Sequence, residues 1–179
     1  GTAHKIIGDH TVENQTEFTA WTSTDSLPDT AGNYYLDNDV TLSEAIEYTD
    51  NSSLNNRTGY CGWNVPDGVV LCLNGHSISM QNPQNITKDV DTINVLGHFT
   101  LTDCKNSSEQ GKITHASDSS NGKYSGKGVK VSGGTFDMYG GTISGNTSAY
   151  DTGGSGVSVK GVSDTSKASL FNMYGGQIS

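Results

Sequence analysis

Two tyrosines, Tyr139 and Tyr174, hold the same place in two near-copies of one segment, GVKV…TFDMYGGTIS and GVSV…LFNMYGGQIS. A polar residue stands two positions before each, Asp137 in the first copy and Asn172 in the second. An aromatic face attracts the C–H face of a sugar ring, and a neighbouring carboxylate or amide takes its hydroxyls, so such a strip suits a glycan chain. It equally suits a ladder of stacked rings that ties neighbouring strands together with no ligand. Both readings stand at this point. Tyr124 and Tyr150 form a second set of glycan candidates, in loops beside Lys123, Lys127, Asn146 and Asp151, where the repeat does not demand burial. They read either as exposed stacking platforms or as anchors folded down over a strand edge.

Acid–base chemistry on a polysaccharide needs more than this. A lyase requires a basic proton abstractor with acids that hold calcium, and a hydrolase requires paired carboxylates. The strip supplies only Asp137, with Asp103 at a following turn, and the single arginine, Arg57, lies outside the repeats. Acids such as Asp118 and Asp151 sit in loops whose convergence spacing cannot reveal. Of the five histidines, His76 and His98 follow glycines at turns, which points to structural hydrogen bonds. No catalytic residue is assigned, and the chain is expected not to be an enzyme. The cysteines Cys61, Cys72 and Cys104 lack the paired CxxC spacing of a zinc site, and their pairing stays open. No metal site is assigned and no cofactor is expected; calcium is neither required nor ruled out, because the loop acids match no calcium-loop motif.

The elements that must carry these residues are short strands. Apolar residues alternate at Val129 and Val131, Phe136 and Met138, and again at Val157 and Val159, Phe171 and Met173, each copy closing on Ile143 or Ile178. A period of two marks half-buried strands, and glycine pairs such as Gly133-Gly134 and Gly140-Gly141 end each run. The pattern extends backwards through TINVLGHFTLTDC…GKITH and VVLCLNGHSIS. Aligned, Leu71, Phe99, Phe136 and Phe171 form one inward column, Leu73, Leu101, Met138 and Met173 a second, and Ile78, Ile113, Ile143 and Ile178 a third. Outward columns follow: Cys72, Thr100, Asp137, Asn172, and then Asn74, Thr102, Tyr139, Tyr174. Inward columns repeated at each level predict an all-β right-handed parallel β-helix, a solenoid with an N-terminal cap. The whole chain, 1–179, is read as one such domain, with about 1–60 as cap and first coil and about 61–179 as regular coils. Excess residues at 80–91, 116–127, 145–155 and 161–168 leave as loops, three of them on one edge. A short helix is expected over 43–48, capped by Ser43, and Trp21 and Trp63 read as core or cap residues.

Composition narrows the partners. The net charge of −9, with ten basic residues in 179 and no run of lysines, lacks the footprint that phosphate backbones require, so no nucleic acid is expected. No apolar stretch has the length of a membrane span, and the opening GTAHK does not resemble a signal peptide, so the chain reads as a mature or excised fragment. Its last residues, Gln177-Ile178-Ser179, stop within a repeat, and continuation beyond them is expected.

The strings GNYYLDNDVTL, VVLCLNGHSIS, FTLTDC and FDMYGGTISGNTS, spanning the chain from about Trp21 onward, resemble those of secreted multimodular β-helix proteins of gut-dwelling Gram-positive anaerobes. A stand-alone β-helix of this size resembles the carbohydrate-binding modules attached to plant-polysaccharide hydrolases, notably the xylan-binding family 89. That resemblance implies an extracellular, secreted or cell-surface, non-catalytic module that recognises xylan and holds an attached glycoside hydrolase on it. A structural or adhesive segment of a bacterial surface protein is the alternative, and a lyase or hydrolase a further one.

Overall fold

The computed structural model describes residues 2–3, 17–50, 57–117, 124–149, 155–164 and 166–179. Tyr150, Asp118, Lys123 and Asp151 lie outside the described residues. Alternating apolar residues punctuated by glycines do produce strands: there are seventeen, numbered in chain order, and no helix among the described residues. The first sheet has seven strands in the spatial order β1 (Thr2–Ala3), β2 (Glu17–Trp21), β3 (Gly32–Leu36), β7 (Val69–Cys72), β10 (His98–Thr102), β13 (Thr135–Met138) and β16 (Leu170–Met173). The second has five, β17 (Gln177–Ile178), β14 (Thr142–Ile143), β11 (Lys112–His115), β8 (Ile78–Met80) and β4 (Val40–Leu42). The third also has five, β15 (Val157–Lys160), β12 (Val129–Ser132), β9 (Asp91–Val95), β6 (Arg57–Val65) and β5 (Ile46–Asp50).

This arrangement corrects the expected right-handed parallel β-helix with an N-terminal cap. The strands form three mostly parallel sheets, and two ladders, β1–β2 and β5–β6, run antiparallel. The N-terminal strands join the same sheets as the later repeats: β3 pairs with β7, and β4 with β8. The reason lies in what alternation encodes. A period of two fixes which face of a strand is buried and where it stops, but not how the chain winds between strands. The expected helix over 43–48 is also absent. Residues 43–45 are irregular, and Ile46–Asp50 is a strand paired antiparallel with β6, from Ile46 opposite Cys61 to Asp50 opposite Arg57.

One core is shared by the inner faces of all three sheets. From the first sheet come Leu36, Leu71, Phe99, Leu101, Phe136 and Met138; from the second Ile78, Ile113 and Ile143; from the third Trp63, Ile93, Val95, Val129 and Val131. The isoleucine column forms as read, with Ile78, Ile113, Ile143 and Ile178 in successive register. The phenylalanine column is shifted at one level, because Phe99 lies opposite Val69 and Leu101 opposite Leu71. A slip of two residues keeps every side chain on its face, so the alternation could not reveal it. Phe99, Phe136 and Phe171 stack at centroid separations of 5.4 and 5.1 Å, with Trp63 edge-on to Phe99 at 5.5 Å. Trp63 is buried and donates its indole N–H to the Pro28 carbonyl at 2.9 Å, as a core residue should. Gly111 closes the turn before β11, where a Cβ would stand 1.9 Å from the His76 carbonyl oxygen.

Candidate functional site

The outer face of the first sheet carries the predicted polar strip. The parallel ladders place Val70, Thr100, Asp137 and Asn172 side by side, with Cys72 beside Thr102. Cys72 thus moves from the Asp137 column to the neighbouring one. Asn74 leaves the columns altogether: it sits in a left-handed turn, φ 52°, and donates its side-chain amide to the Leu36 carbonyl. Tyr139 and Tyr174 follow their strands directly, each held by a backbone N–H donated to the adjacent strand, Tyr139 to Leu101 and Tyr174 to Met138. Their rings stack at 4.6 Å and 12°. Tyr174 is 63% exposed, so this apolar surface faces solvent.

Beside the rings, Asp137 organises the strip. Its Oδ1 accepts the Asn172 side-chain amide at 2.8 Å, and its Oδ2 lies 2.7 Å from His98 Nε2, an ion pair when the ring is protonated. The phenol of Tyr139 is held above its ordinary range, first by partial burial, then by Tyr174 and by the Asp137 charge. It therefore stays a hydroxyl donor at neutral pH. The structure thus brings together Tyr139, Tyr174, Asp137 and Asn172 and adds His98, whose place one strand away gave no signal in spacing. Tyr124 is not among them. It is half-buried, and its hydroxyl accepts a hydrogen bond from Gln81 Nε2 at 3.0 Å.

Asp103 and His76 are engaged structurally. Asp103 accepts backbone N–H groups from Gly75, Lys105 and Gly111, clamping the turn between β10 and β11. His76 approaches Asp39 at 3.3 Å. The Cys72 and Cys104 sulfurs lie 2.7 Å apart, and burial pushes the Cys61 thiol up to about 12. Among the described residues no group of three or more His, Cys, Asp or Glu is placed to hold a metal ion, and no helix is long and apolar enough to cross a membrane.

Sequence reasoning also missed a buried polar network on the third sheet, where the lysines read as unclustered in fact converge. Lys130, only 3% exposed, donates through Nζ to Asp50 Oδ2 at 2.5 Å and to the Tyr48 hydroxyl at 3.1 Å. Tyr48 in turn donates to Asp91 Oδ2 at 3.2 Å. Burial, reinforced by the Asp91 and Asp50 carboxylates, drives the Tyr48 phenol far above its ordinary range. Burial also raises Asp91, against the opposing pull of Lys127, Lys130 and the Tyr48 hydrogen bond. Spacing gave no signal for this site, because Tyr48 and Asp50 stand about 80 residues before Lys130 and meet it only through the fold.

Comparison of the chain with protein-family models, with curated proteins and with solved structures finds no match.

Proposed function

We propose that this chain is a non-catalytic carbohydrate-binding module that recognises a plant cell-wall polysaccharide, xylan by the resemblance of its repeats, and holds an attached glycoside hydrolase on that substrate outside the cell. The observation that carries the reading is the exposed Tyr139–Tyr174 stack beside an ordered line of Asp137, Asn172 and His98. The exposed Tyr174 ring offers an apolar surface to a sugar ring, and the neighbouring hydroxyl, carboxylate and imidazole groups offer partners to its hydroxyls. Neighbouring strands lie about 4.8 Å apart, close to the advance of one sugar in an extended chain, so a glycan can run across the strands and meet a contact at each. An open strip with few anchors gives modest affinity, about micromolar or weaker. Support for a non-catalytic role comes from the acids: Asp137 is shared between two neighbours and Asp103 is bound into its turn.

The test is native affinity electrophoresis in gels containing xylan, arabinoxylan, β-glucan, mannan or pectin. Wild-type protein is expected to be retarded selectively by xylan, and the Tyr139→Ala/Tyr174→Ala double variant to lose about tenfold or more in affinity while keeping its fold. Retention of binding by the folded double variant would remove the strip as the site. Absence of retardation by every polysaccharide would instead favour the stacked rings as a strand tie in a structural or adhesive segment.

A further inference from the structure

A cavity of about 520 Å³ opens on the third sheet, away from the tyrosine strip. It is lined by five of the chain's ten basic residues, Arg57, Lys88, Lys127, Lys130 and Lys160, brought there from three strands and two loops. Three carboxylates, Asp50, Asp89 and Asp91, share it, so the described lining carries an excess of two positive charges in a chain of net charge −9. Such a local reversal focuses a field that attracts anions.

The carboxylates are already bound into the scaffold. Asp50 takes Lys130; Asp89 takes the Ser125 and Ser148 hydroxyls and the Ala149 N–H; Asp91 takes the Tyr48 hydroxyl and the Lys127 N–H. At the rim, by contrast, Arg57 and Lys88 are exposed, with the Lys88 ammonium 5.8 Å from the centre of the Tyr60 ring. The cavity therefore presents a guanidinium and an ammonium at its mouth, an aromatic wall in Tyr60, and hydroxyl and carboxylate groups deeper in. A guanidinium is well matched to a carboxylate through paired N–H donors. The inner aspartates retain lone pairs that accept sugar hydroxyls but would repel a polyanion such as a nucleotide phosphate. The volume lies within the range of about 300–1,000 Å³ usual for small-ligand sites, room for one or two sugar rings.

We propose that this cavity is a binding site for an acidic sugar, a uronate whose carboxylate sits between Arg57 and Lys88 and whose hydroxyls face the aspartates. The site stands on a different sheet from the tyrosine strip, takes a charged rather than a neutral sugar, and does not depend on the strip's being a glycan platform.

Titration calorimetry of the full chain with D-glucuronate and D-galacturonate, their methyl esters and the neutral parent sugars tests it. A uronate is expected to bind, with its ester and parent sugar weaker by about tenfold or more. The exposed-site variant Arg57→Gln/Lys88→Gln should lose a similar factor, while Lys112→Gln, on the second sheet, should bind as wild type. Tyr139→Ala/Tyr174→Ala should also bind the uronate unchanged, which separates this site from the strip. The proposal is overturned if no uronate binds, if ester and acid bind alike, or if inorganic sulfate competes as well as the uronate, which would mark a general anion site. The ester comparison uses wild-type protein alone and stands even if a variant fails to fold.

Discussion

Asp103 and Asp91 show how differently two buried carboxylates can serve one fold. Asp103 collects N–H groups from three residues of its own turn and the adjacent one, so its replacement strands the buried Gly111 donor and two part-buried donors at once. Asp103→Ala should lower unfolding free energy by about 2–4 kcal/mol, read from denaturant melts. Asp91 is costly in its charged form, because burial holds its folded-state proton affinity above the ordinary value of 3.8. A group raised in the folded state contributes stability that is fully present below its unfolded pKa and is lost as pH rises through the folded one. The stability of wild type relative to Asp91→Asn should therefore be greatest under acid conditions below 3.8 and shrink toward neutral pH. A difference that grew with pH in paired denaturation curves would mean that the cations around Asp91, Lys127 and Lys130, outweigh its burial.

The aromatic stack that runs through the first sheet orders the cost of truncation along it. Phe136 is fully buried between the rings of Phe99 and Phe171, whereas Phe171 is half-buried in the outermost strand of the sheet. Phe136→Ala should cost about 3–5 kcal/mol and Phe171→Ala clearly less, and equal losses in thermal or chemical melts would contradict this packing. Strand faces and ends were legible in the sequence because Val, Phe, Met and Ile alternate and glycine pairs stop each run. The pairing of Ile78, Ile113, Ile143 and Ile178 was legible for the same reason. The winding of the chain was not, and neither was the two-residue shift that sets Val69 rather than Leu71 opposite Phe99. Ser43 followed by Glu44 and Ala45 looked like a helix start, yet pairing with β6 overrode that local preference. The tyrosine strip could be read from its repeated motif, while the basic cavity could not, since its residues share no motif and meet only through the fold.

Across the whole molecule, the outermost strands β15, β16 and β17 leave one rim of all three sheets apolar. Val159, Leu170, Met173 and Ile178 are 45, 50, 46 and 37% exposed there. The ion pair of Lys130 with Asp50 has a further consequence, in time rather than in space. Its partners are 80 residues apart, and even the neighbours Asp137 and Asn172 are separated by 35. A chain whose contacts lie so far apart must close long loops before those contacts return any free energy, which makes folding slow. The Lys130 tie cannot form until both its strands are seated, so its appearance would mark the end of refolding rather than the beginning.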